Sequence, residues 1–273
     1  MTSPLLDFRD VRLSFAGVTA LDGVSFHVDP GELFAIIGPN GAGKTSIFNC
    51  LNGVYRPQSG EIIWRGENII GMKPFRIAES GISRTFQNIE LFGNMTVLGN
   101  LMLGRHHRSS TSWAAASVWL GKARNEEIRN RRAVEEIIDF LEIAQYRRYP
   151  VGLLPFGIQK RVELGRALAM EPTLLLLDEP VAGMNLEETE DLARFILDIR
   201  EELGISLILV EHDMGLVMDI ADRVMVLDFG RNIATGTPTQ VQGDAKVIRA
   251  YLGEEIWIEE TPVAATSGES ARQ

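Results

Sequence analysis

Gly38-Pro39-Asn40-Gly41-Ala42-Gly43-Lys44-Thr45 decides the fold, because it fits the pattern GxxxxGK[ST] in the surroundings that pattern requires. The apolar run LFAIIG, residues 33–38, reads as a strand leading into it. After it, TSIFNCLNGVY carries Ile47, Phe48, Leu51 and Val54 at helical spacing. The order strand, glycine-rich loop, helix has a physical purpose. Glycines let main-chain N–H groups turn inward around phosphate oxygens, and the following helix presents its positive end. Lys44 adds a charge there, and the Thr45 hydroxyl suits Mg²⁺. The stretch points to nucleotide binding and says little about what the energy is used for.

Upstream, LLDFRDVRLSF and GVSFHVD read as short β segments, with Asp29-Pro30-Gly31 as a turn before residue 33. Downstream, Gly60 to Trp64 alternates briefly and predicts another strand. The middle, about 90 to 150, changes character. It has Met95 to Leu103, a Ser-rich HHRSSTS, and then a predicted amphipathic helix from Asn125 to Ala144 with Ile128, Val134, Ile137, Ile138 and Leu141 on one side. We read this as a helical lobe. The α/β pattern then returns: helix Lys160 to Met170, strand Thr173 to Leu177, helix Glu187 to Leu203, strand Ile205 to Val210, helix Met214 to Ala221 and strand Arg223 to Leu227. Strands alternating with helices of this length imply a parallel sheet. In that pattern Leu174-Leu175-Leu176-Leu177-Asp178-Glu179-Pro180 sets two carboxylates at the end of a fully apolar strand, as expected of a central parallel strand. Asp178 is placed to hold the shell of Mg²⁺ and Glu179 to polarise an attacking water, because phosphoryl transfer depends on positioning and charge neutralisation.

At 273 residues with a net charge of −10, the chain can carry one large α/β domain with a subsidiary lobe, and it lacks the basic balance of a phosphate-backbone binder. No nucleic-acid partner is expected. Cys50 is the single cysteine, so no intramolecular disulfide can form, and its apolar helical setting reads as a buried structural thiol. The start, MTSPLLDFRD, lacks the basic and long apolar regions of a signal peptide, and no apolar run approaches the ~20 residues that a bilayer needs. Trp113 to Leu120 could lie on a membrane surface, but such a run more often packs on its own lobe. Residues 254–273 read as an acidic, flexible tail.

Further residues narrow the class. Gln87 in SRTFQN resembles the Q-loop glutamine of ABC ATPases, Ala182-Gly183-Met184-Asn185 their D-loop, and His212 in LILVEHDM their switch histidine. Phe15 matches the aromatic that stacks on adenine in that family, and Leu154 to Arg161 with the following VELGRAL resembles the signature segment and its helix. The resemblance covers roughly residues 5–253. It implies an α/β phosphate-loop NTPase with a RecA-like core, an N-terminal antiparallel β subdomain and a helical lobe inserted at about 90–165. It implies ATP and Mg²⁺ as cofactors. The nucleotide would be bound by Phe15, Gly38, Pro39, Asn40, Gly41, Ala42, Gly43, Lys44, Thr45, Ser46, Gln87 and Gly157. Catalysis would rest on Lys44, Glu179 and His212, and the metal on Thr45, Gln87 and Asp178.

In that family two ATPase subunits sandwich two nucleotides, each site joining the phosphate loop of one to the signature of the other. The signature here departs from the usual Leu-Ser-Gly-Gly-Gln, reading Leu154-Pro155-Phe156-Gly157-Ile158. Pro155 offers neither hydroxyl nor N–H, so the deficit falls on the partner's site, while Gly157 and the helix start still present N–H groups. Within the family, GPNGAGKTSIFNCLNGVYRPQSGEI, SRTFQNIELFGNMTVLGNL, EHDMGLVMDIADRVMVLDFG, VIRAYLG and the extra loop near 106–121 resemble the ATPase subunits of branched-chain amino acid importers. That implies a second ATPase subunit, in a homo- or heterodimer, two membrane-spanning permease subunits and a solute-binding protein. The chain would then work peripherally on the cytoplasmic face of a bacterial inner membrane. Related importers for urea, amides or aromatic acids share these features. So, more distantly, do soluble ABC ATPases, although those on ribosomes usually carry two ATPase domains, and repair members coiled coils or zinc cysteines.

Overall fold

Leu33–Ile37 forms strand β3, buried along its whole length, and its alternate side chains serve two different cores. Leu33, Ala35 and Ile37 pack into the helical side, while Phe34 and Ile36 pack toward the N-terminal sheet. An apolar run without polar alternation is what a strand covered on both faces requires. The computed structural model describes residues 3–85, 90–105 and 122–252. Around β3 lies a six-stranded sheet. Its other members are β6 (Ile82–Arg84), β7 (Leu174–Asp178), β8 (Ser206–Val210), β9 (Arg223–Asp228) and β10 (Arg231–Gly236), in the order β10-β9-β3-β8-β7-β6. The five strands from β9 to β6 run parallel, as expected; β10, absent from the sequence reading, closes one edge antiparallel to β9.

A second, antiparallel sheet is built from β1 (Leu6–Phe15), β2 (Val18–Val28), β4 (Ser59–Trp64) and β5 (Glu67–Asn68). It shares a core with α1 (Lys44–Leu51), where Phe8, Phe26 and Phe34 stack ring over ring. Cys50 is buried in this core, and burial pushes its thiol up to about 12, which suits a structural role. The short α2 (Pro74–Glu79) follows β5.

Between β6 and β7 lie α3 (Val97–Gly104), α4 (Lys122–Phe140) and α5 (Phe156–Leu168). Two glycines let these helices approach closely. A methyl group at Gly104 would fall 2.4 Å from the Arg166 carbonyl, and one at Gly165 would fall 2.9 Å from Leu141. The expected helix at 125–144 thus ends sooner, at Phe140, and a 3-10 turn occupies Ala144–Tyr146. The helix expected from Lys160 begins instead at Phe156, with Pro155 as its N-cap. Proline lacks the N–H that no first-turn residue can satisfy within the helix, so it ends the preceding chain without cost. The remaining helices are α6 (Leu186–Glu201), α7 (Met214–Ile220), α8 (Pro238–Gln242) and α9 (Ala245–Leu252). Among the described residues no helix is long and apolar enough to cross a membrane.

Candidate nucleotide site at the carboxyl edge of the sheet

In the order β9-β3-β8-β7 the loops leaving β3, β8 and β7 emerge side by side at the carboxyl ends of parallel strands, where α/β sheets bind ligands. The first is the glycine-rich loop. Gly38 has φ 153° and packs so tightly on β9 that a methyl group there would fall 2.0 Å from the Leu227 carbonyl. Gly43, at φ 108°, caps α1 and leaves no room beside the Ala20 carbonyl. Gly41, at φ 80°, faces open space, as a backbone that receives a ligand must. Pro39, Asn40 and Ala42 complete the loop, and the Ala42 carbonyl accepts from Gly230 N–H at 2.8 Å. Thr45 is exposed and Ser46 half-buried in the first turn of α1. Lys44 is buried and donates through Nζ to the carbonyls of Gly38 (2.6 Å) and Pro39 (3.0 Å). Burial draws its pKa below the ordinary lysine value, against the opposing pull of the Glu179 and Asp178 charges.

The second loop carries those carboxylates. Asp178 ends β7 and is buried; its Oδ2 accepts from Arg84 at 2.5 Å. Arg84 also donates to Asn49 at 2.7 Å and lies over the Phe48 ring, so one guanidinium ties β6, β7 and α1 together. Glu179 follows in the left-handed region at φ 47°, a costly backbone for a residue with a Cβ. Its N–H donates to the Val210 carbonyl at 2.8 Å, extending the β7–β8 ladder by one residue. His212 leaves β8 immediately beyond Val210 and Glu211, with its ring mostly exposed. Glu179 and His212 therefore leave neighbouring strands at the same edge.

Phe15 ends β1 with 44% exposure and meets Tyr55 edge-on at 4.9 Å, which makes it an accessible aromatic surface rather than a core residue. Gly157 sits at the second position of α5, buried; a methyl group there would fall 2.6 Å from Glu188 Oε1. Glu188 forms a capping box with Asn185 at the start of α6, and Phe156 leans on Gly183. The segments that resemble the signature and the D-loop are thus in contact with each other. Gln87 lies outside the described residues, as do the loop at 106–121 and the tail. Sequence reasoning did not single out Arg84, Asn49, Tyr55 or Glu211. Arg84 stood within SRTFQN, but only the fold reveals that it faces Asp178.

Known proteins resemble this chain along most of its length. Residues 21–182 match the ABC transporter family model, and residues 231–256 match a model described as branched-chain amino acid ATP-binding cassette transporter. The chain is 40% identical to the high-affinity branched-chain amino acid transport ATP-binding protein BraF of Pseudomonas aeruginosa, covering 93% of this chain and 100% of that protein. Its identity to LivG of Escherichia coli K12, which bears the same description, is 39% over the same shares. Among solved structures, an ATP-binding cassette of an ABC transporter in its ADP conformation superposes with a TM-score of 0.81 at 30% identity, covering 92% of this chain and all of that one. A nucleotide-free cassette superposes with a TM-score of 0.80 at 29% identity, covering 91% and 99%. With the phosphate loop, the paired carboxylates and the histidine gathered at one sheet edge, the chain belongs to the ATP-hydrolysing subunits of the ABC transporter family.

Proposed function

We propose that this subunit drives an importer for branched-chain amino acids or closely related solutes, docked on the cytoplasmic face of a membrane complex. The observation that carries the reading is full-length similarity to two importer ATPases of that description, together with the separate match at residues 231–256. In this reading a second ATPase subunit closes over the nucleotide, and two membrane-spanning subunits and a solute-binding protein complete the assembly.

The proposed chemistry follows from the sheet edge. Phe15 offers a face to the adenine, and the loop from Gly38 to Ser46 surrounds the phosphates with N–H groups. Lys44 turns from the Gly38 and Pro39 carbonyls to the phosphate oxygens. Thr45 and Asp178 present hard oxygen donors, which is the set that Mg²⁺ takes alongside waters and phosphate oxygens, so these residues fit the ion. When bound there, Mg²⁺ neutralises phosphate charge. Glu179, held beside Val210, accepts a proton from the attacking water, and His212 stabilises charge on the γ-phosphate. Gln87, the other proposed metal and nucleotide contact, would link the site to the helical lobe. Nucleotide favours the closed pair through contacts made only there, and hydrolysis releases them.

Uptake of labelled solutes by cells lacking this chain tests the reading. We expect loss of leucine, isoleucine and valine uptake, restored by the wild-type chain and not by Glu179→Gln. Intact branched-chain uptake with loss of urea, amide or aromatic-acid uptake would contradict it.

A further inference from the structure

Glu211 is fully buried, and both of its carboxylate oxygens are used. Oε1 accepts from the Val181 N–H at 3.1 Å, in the turn that follows Glu179 and Pro180. Oε2 accepts from the N–H of His212 at 3.1 Å. One carboxylate therefore ties the loop after β7 to the loop after β8. Each loop is also fixed on its own side. Ala182 N–H closes on the Glu179 carbonyl at 3.2 Å, and Asp213 caps α7 by accepting from Leu216 N–H at 3.1 Å. Nothing in strand pairing demands an acid here. An isolated buried carboxylate costs several kcal/mol, and burial pushes the pKa of Glu211 above the ordinary glutamate range. A group this costly at a point joining two reactive loops is explained by what it holds apart.

We propose that Glu211 is a positioning residue for hydrolysis, which sets the separation of Glu179 and His212 by bridging their two loops. This rests on the roles given above to Glu179 and His212. The chemistry makes glutamine a discriminating replacement. Gln has the same shape, but its NH₂ would face one of the two N–H groups that the carboxylate now satisfies, so one anchor is lost. At the same time Gln relieves the burial of a charge. A purely structural role and a positioning role therefore give different results.

The test is steady-state ATP hydrolysis and thermal melting of the full-length wild-type, Glu211→Gln and Glu211→Asp proteins, with Glu179→Gln as a control. Asp keeps the charge and both acceptors but is one methylene too short to reach both loops. For each variant we expect kcat to fall roughly tenfold or more while KM for ATP stays within about twofold, since small misplacements at a reacting centre act on the transition state. The Glu211→Gln melting midpoint should stay within about 4 °C of wild type or rise. A kcat within about twofold of wild type in either folded variant would overturn the proposal, as would a kcat loss matched by an equal loss in ATP affinity. If Glu211→Gln does not fold, Glu211→Asp decides on the same kcat and KM criterion. If Glu179→Gln itself hydrolyses ATP normally, the assignment of Glu179 fails instead, and the two failures are distinguishable.

Discussion

At the scale of single residues, the strain in this chain is uneven and instructive. Glu179 and Phe229 both occupy the left-handed backbone region, at φ 47° and 41°. At Glu179 the strained residue directly follows Asp178 at the end of β7, and in the function proposed above that cost serves chemistry. Phe229 stands at an exposed turn between β9 and β10, 86% accessible, where neither its ring nor its backbone gains compensation from burial. Phe229→Asn should therefore stabilise the protein by about 1 kcal/mol, read as a raised melting midpoint. Pro155 is the residue-scale anomaly of the signature. As N-cap of α5 it leaves the helix start without a side-chain acceptor or donor. If, as proposed, this segment completes a partner's nucleotide site, Pro155→Ser should raise turnover in the assembled ATPase pair, and unchanged turnover would contradict the assignment of that deficit.

At the scale of elements, the junction of β6, β7 and α1 depends on Arg84, whose partner Asp178 is 3% exposed in its side chain. Arg84→Ala would remove the ion-pair partner of a buried carboxylate. We expect a loss of about 3 kcal/mol in chemical denaturation, larger than for any surface pair such as Arg76 with Glu79. How far these elements were legible depended on what the sequence signals physically. Apolar runs buried on both faces, as at 33–37, 174–177 and 206–210, announced the parallel sheet, and Gly-x-Gly-Lys-Thr announced the loop between strand and helix. Hairpins did not announce themselves. Ala16-Gly17, Arg65-Gly66 and Phe229-Gly230 each form a two-residue turn with both φ values positive, the requirement of type I′ hairpins. With Ala, Arg or Phe where Asn or Asp is usual, their signal is weak, so β5 and β10 escaped notice. The early start of α5 is explained by Pro155, since proline at a helix start interrupts nothing. Of the site, the motif residues were readable, whereas Arg84 and Glu211 gain meaning only from neighbours 94 and 30 positions away.

At the scale of the whole molecule, two cores grip opposite faces of one parallel sheet. The carboxyl edge of that sheet carries the candidate nucleotide site, and α3, α4 and α5 lie between β6 and β7, so in chain order the strand that bears Asp178 is reached only through the helical segment. The proposed function places this subunit in a membrane importer, and affinity purification of the full-length chain from its native membranes puts that proposal to the test. Two multi-spanning subunits and a second ATPase subunit are expected to come with it. Recovery of ribosomes, DNA-repair factors or no membrane protein would contradict it while leaving ATP hydrolysis intact.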